Sequence, residues 1–218
     1  MIKAIIFDLD GTLLNTLDDL SDSMNYALTS LGFPPRFRSE NQQFVGNGVE
    51  VFAERALPES ARTPEMIWQC AELMGEEYRR RYNYKTFPYY GVIDLLYNLQ
   101  KIPVRLAVLT NKNDDFARIM ISEFFPRINF SVVRGALPHV PKKPDPTAAL
   151  QIAKELGVLP SEILFVGDSS VDIRTGISAG MIPIGVSWGF RTIDELRKEG
   201  AQHIVIEPHE LLSIVISS

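Results

Sequence analysis

The 218-residue chain has a single cysteine, Cys70, along with three histidines and two tryptophans. One thiol makes no internal disulfide and supplies no second thiolate for a structural zinc site, so the fold needs neither and a reducing cytoplasm suits it. Long apolar runs are missing as well. The first one, around Ile5-Ile6-Phe7, is broken at once by Asp8 and Asp10. That is too short and too charged for a signal peptide, and no stretch of about 18 apolar residues follows it, so no membrane partner is expected. Basic excess is absent too: 22 Lys and Arg against 27 Asp and Glu leave a net charge of −5, and the basic residues are scattered. No nucleic-acid partner is expected from such a distribution.

What is present is ample apolar material, 45% of residues, enough for one full core and a small accessory domain. The run 4–7 is short and continuous and ends in Asp8-Leu9-Asp10-Gly11, as expected of a strand buried on both faces that opens into a loop. Similar runs lie at 104–109, 163–166, 182–186 and 204–206. Helical stretches separate them at 92–99, 114–124, 147–156 and 171–179, with Gly or Pro at their bounds. This alternation predicts an α/β core, an open doubly wound (Rossmann-like) parallel sheet with helices on both faces and ligands at the carboxyl ends of the strands. Residues 16–87 break the alternation, with helices expected near 19–31, 48–56 and 64–82. They are read as an inserted small α-helical cap domain, leaving 1–15 and 88–218 as the core and the segments 15–17 and 87–91 as hinge strands.

The chemistry gathers at strand ends. Asp8 and Asp10 are two apart, so in extended backbone both side chains leave on the same side, and two carboxylates crowded together require a cation, a shared proton, or both. Gly11 permits a sharp turn and Thr12 offers a hydroxyl to fix a carboxylate; an Asp-Gly turn alone is the plainer reading. A second acidic group, Asp168 and Asp172 in Gly167-Asp168-Ser169-Ser170-Val171-Asp172, follows another strand. Such hard oxygen ligands suit Mg²⁺, although helix capping also accounts for them singly. Thr110 and Asn111 end the run 104–109, where a hydroxyl and N–H groups either hold phosphoryl oxygens or cap the next helix. Lys143, between Lys142 and Pro144, is either a solvated surface lysine or an ammonium aimed inward by a restricted loop.

Taken in order, Asp8-Leu9-Asp10-Gly11-Thr12-Leu13, Thr110-Asn111, Lys143-Pro144 and Gly167-Asp168-Ser169-Ser170-Val171-Asp172 resemble the four signature motifs of the haloacid-dehalogenase-like phosphohydrolases, over nearly the whole chain. The resemblance implies a Mg²⁺-dependent phosphatase in which Asp8 is the nucleophile and Asp10 is acid and then base, with Thr110 and Lys143 cradling the phosphoryl oxygens. It implies metal binding by Asp8, the main-chain oxygen of Asp10, Asp168 and, directly or through a neighbour, Asp172. Phe44-Val45-Gly46-Asn47-Gly48-Val49-Glu50 and Trp188-Gly189-Phe190-Arg191 resemble bacterial phosphoglycolate phosphatases. This marks Gly46, Asn47, Gly48 and Arg191, beside Thr12 and Asn111, as substrate-binding candidates, and 2-phosphoglycolate as the substrate; a plain interhelical turn also accounts for the glycines.

Asn15 and Tyr90 depart from the family's usual Asp and Pro beside the hinges. Alternatives within the family are a pyrophosphatase, a sugar-phosphate phosphatase or a β-phosphoglucomutase-like phosphomutase, and outside enzymes a phosphorylatable signalling module. The partner expected is a small phosphorylated metabolite, the location cytoplasmic, and the assembly a monomer or homodimer.

Overall fold

A computed structural model describes residues 1–217. The chain divides into two compact units, Met1–Leu14 with Pro88–Ser218, and Asn15–Phe87.

The first unit is built on a six-stranded sheet. Its centre is β1 (Ala4–Phe7), where all four side chains are buried because covered faces leave no solvent side to alternate with. Each such Ile or Phe contributes roughly 1.5–3 kcal/mol when taken from water. Two-residue strands β2 (Leu14–Asn15) and β3 (Phe87–Pro88) pair with each other where the chain passes from one unit to the other. The remaining strands are β4 (Arg105–Asn113), β5 (Val132–Ala136), β6 (Ile163–Gly167), β7 (Ile182–Val186) and β8 (His203–Val205). Every pairing in the sheet is parallel and the order is β5-β4-β1-β6-β7-β8, the doubly wound arrangement expected from the alternating pattern. Strand order reverses at β1, so a crevice opens at the carboxyl ends of β1, β4 and β6.

The second unit is helical. It holds α1 (Leu17–Ser30), α2 (Arg38–Phe44), α3 (Val49–Ala56), a 3₁₀ turn at Glu59–Ala61, and α4 (Pro64–Arg81). In α1, Leu17, Leu20, Met24, Ala27 and Leu28 recur at helical spacing and are buried. Helix α4 starts on a sequence signal: Thr63 accepts a hydrogen bond from the Met66 N–H and Pro64 occupies the first turn. One buried carboxylate organises this unit. Asp19 Oδ2 accepts from Lys85 N at 2.9 Å, Thr86 N at 2.8 Å and Thr86 Oγ1 at 2.9 Å, tying α1 to the segment that leaves α4.

The helices of the first unit are α5 (Val92–Leu99), α6 (Asp114–Phe124), α7 (Thr147–Leu156), α8 (Ser170–Ser178), α9 (Ile193–Lys198) and α10 (Pro208–Ser217). Strand β5 and helices α2, α9 and α10 are additions to the sequence-based expectation. No described helix is long and apolar enough to cross a membrane.

Candidate active site

The crevice begins where β1 ends. Asp8 N donates to Val166 O on β6 at 2.9 Å, carrying the ladder one residue past the strand, and then the chain turns back tightly. Leu13 and Leu14 N–H both donate to Leu9 O at 3.0 Å. Gly11 adopts φ +86°, and a Cβ there would lie 2.3 Å from Asp168 Oδ2. The turn therefore needs glycine for its backbone conformation and for space.

Asp168 sits just beyond β6, almost fully buried. Its Oδ2 accepts from Phe190 N at 2.6 Å and its Oδ1 accepts from Thr12 Oγ1 at 3.4 Å. Gly189 closes the other side, since a Cβ on it would come within 2.2 Å of Asp168 Cβ. Trp188 Nε1 donates to Thr12 O at 3.0 Å. The segment 188–190 thus fixes both the first turn and the acidic residue after β6.

Asp172, in the first turn of α8, accepts through Oδ2 from Ser169 N at 3.1 Å and Ser169 Oγ at 2.6 Å, which ties it to the helix start. Its Oδ1 lies 2.6 Å from Lys143 Nζ, which is also 2.8 Å from Asp8 Oδ1. Lys143 is positioned from behind by Asn111: Lys143 N donates to Asn111 Oδ1 at 2.9 Å, and Asn111 Nδ2 donates to Lys143 O at 3.1 Å. Both polar atoms of the Asn111 carboxamide are thereby engaged by Lys143 main chain.

Oxygens of Asp8, Asp168 and Asp172 lie within 4.8 Å of one another, all three residues buried. Burial first, then the neighbouring Asp172, pushes the Asp8 carboxyl up to about 7, against the pull of Lys143. Burial, Asp172 and Asp8 raise Asp168 well above the carboxylate range. For Lys143 burial opposes the charge, yet Asp172 and Asp8 hold its pKa above the ordinary lysine value. Three carboxylates against one ammonium leave the cluster short of positive charge, and an all-oxygen donor set of this kind fits a hard divalent cation.

The end of β4 completes the crevice. Its pairing with β5 runs in register to Leu109↔Arg134 and resumes at Asn113↔Ala136, so residues 110–112 face Gly135 alone. Such a bulge re-aims side chains. Thr110 is buried there, and its Oγ1 accepts from Lys112 N at 3.2 Å. Lys112 Nζ lies 3.1 Å from Asp10 Oδ2.

Residues 5–186 match the family model described as haloacid dehalogenase-like hydrolase. The chain belongs to this family. Among its relatives, a phosphoglycolate phosphatase of Pseudomonas savastanoi pv. phaseolicola is 33% identical over 90% of this chain and 78% of that protein. Another, from Psychrobacter arcticus, is 32% identical over 90% of this chain and 88% of its own. A solved structure from Lactobacillus delbrueckii subsp. bulgaricus superposes with TM-score 0.91 and 31% identity, covering 98% of each chain. These matches place the chain in the phosphoglycolate phosphatase-like branch of the haloacid dehalogenase-like hydrolases, as a phosphatase.

Set against the motifs of that family, the structure gathers Asp8, Thr12, Asp168, Asp172, Lys143 and Asn111 by direct contacts and places Thr110 at the adjoining strand end. Arg191 lies close enough to lower the Asp168 pKa somewhat, and its Nε is 3.8 Å from Glu195 Oε1. Gly46, Asn47 and Gly48 belong to the helical unit, in the turn before α3, with positive φ at Gly46 and Gly48. Sequence reasoning overlooked Lys112, although it follows Thr110-Asn111 directly; a lysine after a strand has no spacing signature that separates it from a solvated one. It also gave no role to Gly189, whose missing side chain is legible only in three dimensions.

Proposed function

We propose that the protein is a Mg²⁺-dependent phosphomonoesterase that works through an aspartyl phosphate on Asp8, with 2-phosphoglycolate as its substrate. The observation that carries the reaction is the buried cluster itself, with Asp8 Oδ1 2.8 Å from Lys143 Nζ and its other neighbours Asp168 and Asp172. The substrate assignment follows the two phosphoglycolate phosphatase relatives.

Asp8 and Asp168 would supply side-chain oxygens for the metal and Asp10 its main-chain oxygen, while Asp172 chiefly orients Lys143, because both its oxygens already meet Lys143 or Ser169. A divalent ion held there would supply positive charge to offset that of the phosphoryl oxygens during attack. Asp8 Oδ then forms a bond to phosphorus as the ester P–O bond breaks. Asp10 gives its proton to the departing alkoxide, and it later accepts one from the water that cleaves the aspartyl phosphate. Thr110 and Lys143 donate to the oxygens of the transferring group. Thr12 binds through its hold on Asp168, and Asn111 by presenting Lys143.

Gly46, Asn47 and Gly48 in the helical unit, and Arg191 in the core, are kept as substrate-binding candidates, and 16–87 is read as a small α-helical cap domain inserted in sequence between 1–15 and 88–218. A buried Cys70 thiol, pushed up to about 11 by desolvation, is unreactive and consistent with cytoplasmic work. The test is phosphate release from about twenty small monoesters by chelator-treated protein with and without Mg²⁺. Highest kcat/KM on phosphoglycolate with Mg²⁺ alone is expected. Preference for nucleotides, pyrophosphate or hexose phosphates removes the substrate assignment, and metal-independent turnover removes the mechanism.

A further inference from the structure

We propose that Lys112 is a specificity-determining residue that recognises an anionic group on the leaving part of the substrate, the carboxylate in the case of phosphoglycolate. This rests on the assignment of Asp10 as the acid that meets the leaving oxygen.

The Lys112 side chain is only 7% exposed, and its Nζ lies 3.1 Å from Asp10 Oδ2 and 5.6 Å from the centre of the Phe116 ring. Burying an ammonium is costly, and a strand end does not require one. The backbone around it is nonetheless arranged to aim it. Residues 110–112 bulge opposite Gly135. A Cβ on Gly135 would fall 2.4 Å from Lys112 O, so the partner strand has given up a side chain at the place where the bulge needs room. Asp114 Oδ1 then accepts from Gly135 N at 2.8 Å and closes the arrangement from the other side.

Position gives this cation its meaning. An acid must come within about 2.6–3.2 Å of the oxygen it protonates. Lys112, one hydrogen bond beyond Asp10, therefore stands beside the leaving group. Lys143 and the metal carboxylates stand on the phosphoryl side instead. In phosphoglycolate the carboxylate begins two bonds from the leaving oxygen, within the reach of an ammonium that has three donors and shares one region with Asp10. The Phe116 ring beside Nζ gives one apolar wall, which strengthens the attraction. Phosphate esters of neutral alcohols gain nothing from Lys112, so the residue discriminates by the charge of the leaving group.

The experiment compares 2-phosphoglycolate with 2-hydroxyethyl phosphate, which replaces the carboxylate by a neutral alcohol, in wild type, K112M and K112R. The ratio of kcat/KM for the two esters is expected to fall by roughly 30-fold in K112M, the scale of a lost hydrogen bond to a charged group, and to be largely restored in K112R. A binding measurement accompanies it: calorimetry on D8N, in which the ester stays intact, should show phosphoglycolate weakened by a similar factor on adding K112M. Equal losses on both esters, or an unchanged ratio, overturn the inference, because Lys112 then serves Asp10 or the fold alone. A wild-type enzyme with no preference for phosphoglycolate over hydroxyethyl phosphate instead sinks the substrate assignment itself, before any Lys112 variant is measured.

Discussion

Asp8 and Asp10 are two residues apart in one turn, yet their surroundings differ, and the proposed division of their duties rests on that difference. Asp8 is held against Lys143 and the other buried carboxylates, while the Asp10 side chain faces Lys112. Asp8→Asn keeps the shape but removes the proposed nucleophile, so phosphate release should drop to the no-enzyme background in a contaminant-free preparation. Asp10→Asn should still bind Mg²⁺, because the proposed contact is its main-chain oxygen. It should lose at least ~100-fold in kcat, the usual scale of one acid–base group. Measuring Mg²⁺ affinity and turnover together in the two variants separates the roles; an Asp10→Asn enzyme within a few-fold of wild type on alkyl phosphates defeats the acid–base assignment. Asn111 shows where residue-level reading runs short. Its type and place suggested a substrate contact, but both its amide atoms bind the main chain of Lys143, 32 positions away, and local spacing carries no trace of that contact.

At the scale of elements, legibility followed apolar content. Strands β1 and β6 declare themselves because they are buried on both faces and end in acidic loops. Strand β5 does not: at the sheet edge Arg134 reaches outward to Glu155 at 2.7 Å and Gly135 interrupts the run. Helix α2 is likewise nearly featureless in RSENQQF, and Glu40 Oε2 accepting from Phe37 N at 2.8 Å caps a start that lacks an apolar stripe. The overlooked strand is also the one that shapes the bulge, so Gly135→Ala is a sharp test. The added Cβ meets Lys112 O at 2.4 Å and Asp114 Cα at 2.5 Å, backbone atoms that cannot simply rotate away. Overpacking of this kind costs about 1–3 kcal/mol, and displacement of Thr110 and Lys112 by 1 Å costs up to roughly 100-fold in rate. Chemical denaturation and kcat/KM should therefore both fall; wild-type values for both defeat the role given to the bulge.

Asp114, the first residue of α6 and the acceptor for Gly135 N, gives that contact a pH signature. Burial pushes its carboxyl up, but hydrogen bonds from Arg118 and from Gly135 N–H outweigh that and leave its pKa below the usual carboxylate value. A group depressed in the folded state adds stability above its unfolded pKa, and that contribution is lost as pH falls through the folded pKa. Melting temperature should accordingly drop more steeply below about pH 4 in wild type than in Asp114→Asn. Parallel acid limbs for the two proteins would show that Asp114 contributes no such linkage.

For the molecule as a whole, the electrostatic balance of the core unit decides how metal and fold are coupled. Asp8, Asp168 and Asp172 are buried together, and Lys143 is in direct contact with two of them. Burial first, and then the neighbouring carboxylates, raise the Asp8 and Asp168 carboxyls, so a nearby positive charge favours their ionised forms. A divalent ion that binds only the folded arrangement supplies such a charge and stabilises by mass action, about 2.7 kcal/mol at a concentration 100-fold above its Kd. In a chain of this length that is a rise of several degrees in melting temperature. Asp168→Asn removes one proposed ligand and one of the repelling charges at once, and its amide oxygen can still accept from Phe190 N, so without Mg²⁺ it should melt no lower than wild type. Its response to added Mg²⁺ should shrink to near zero. If instead Mg²⁺ raises the melting temperature of Asp168→Asn as much as that of wild type, the ion binds elsewhere. The buried carboxylates would then need some other source of compensation than the one assigned to them.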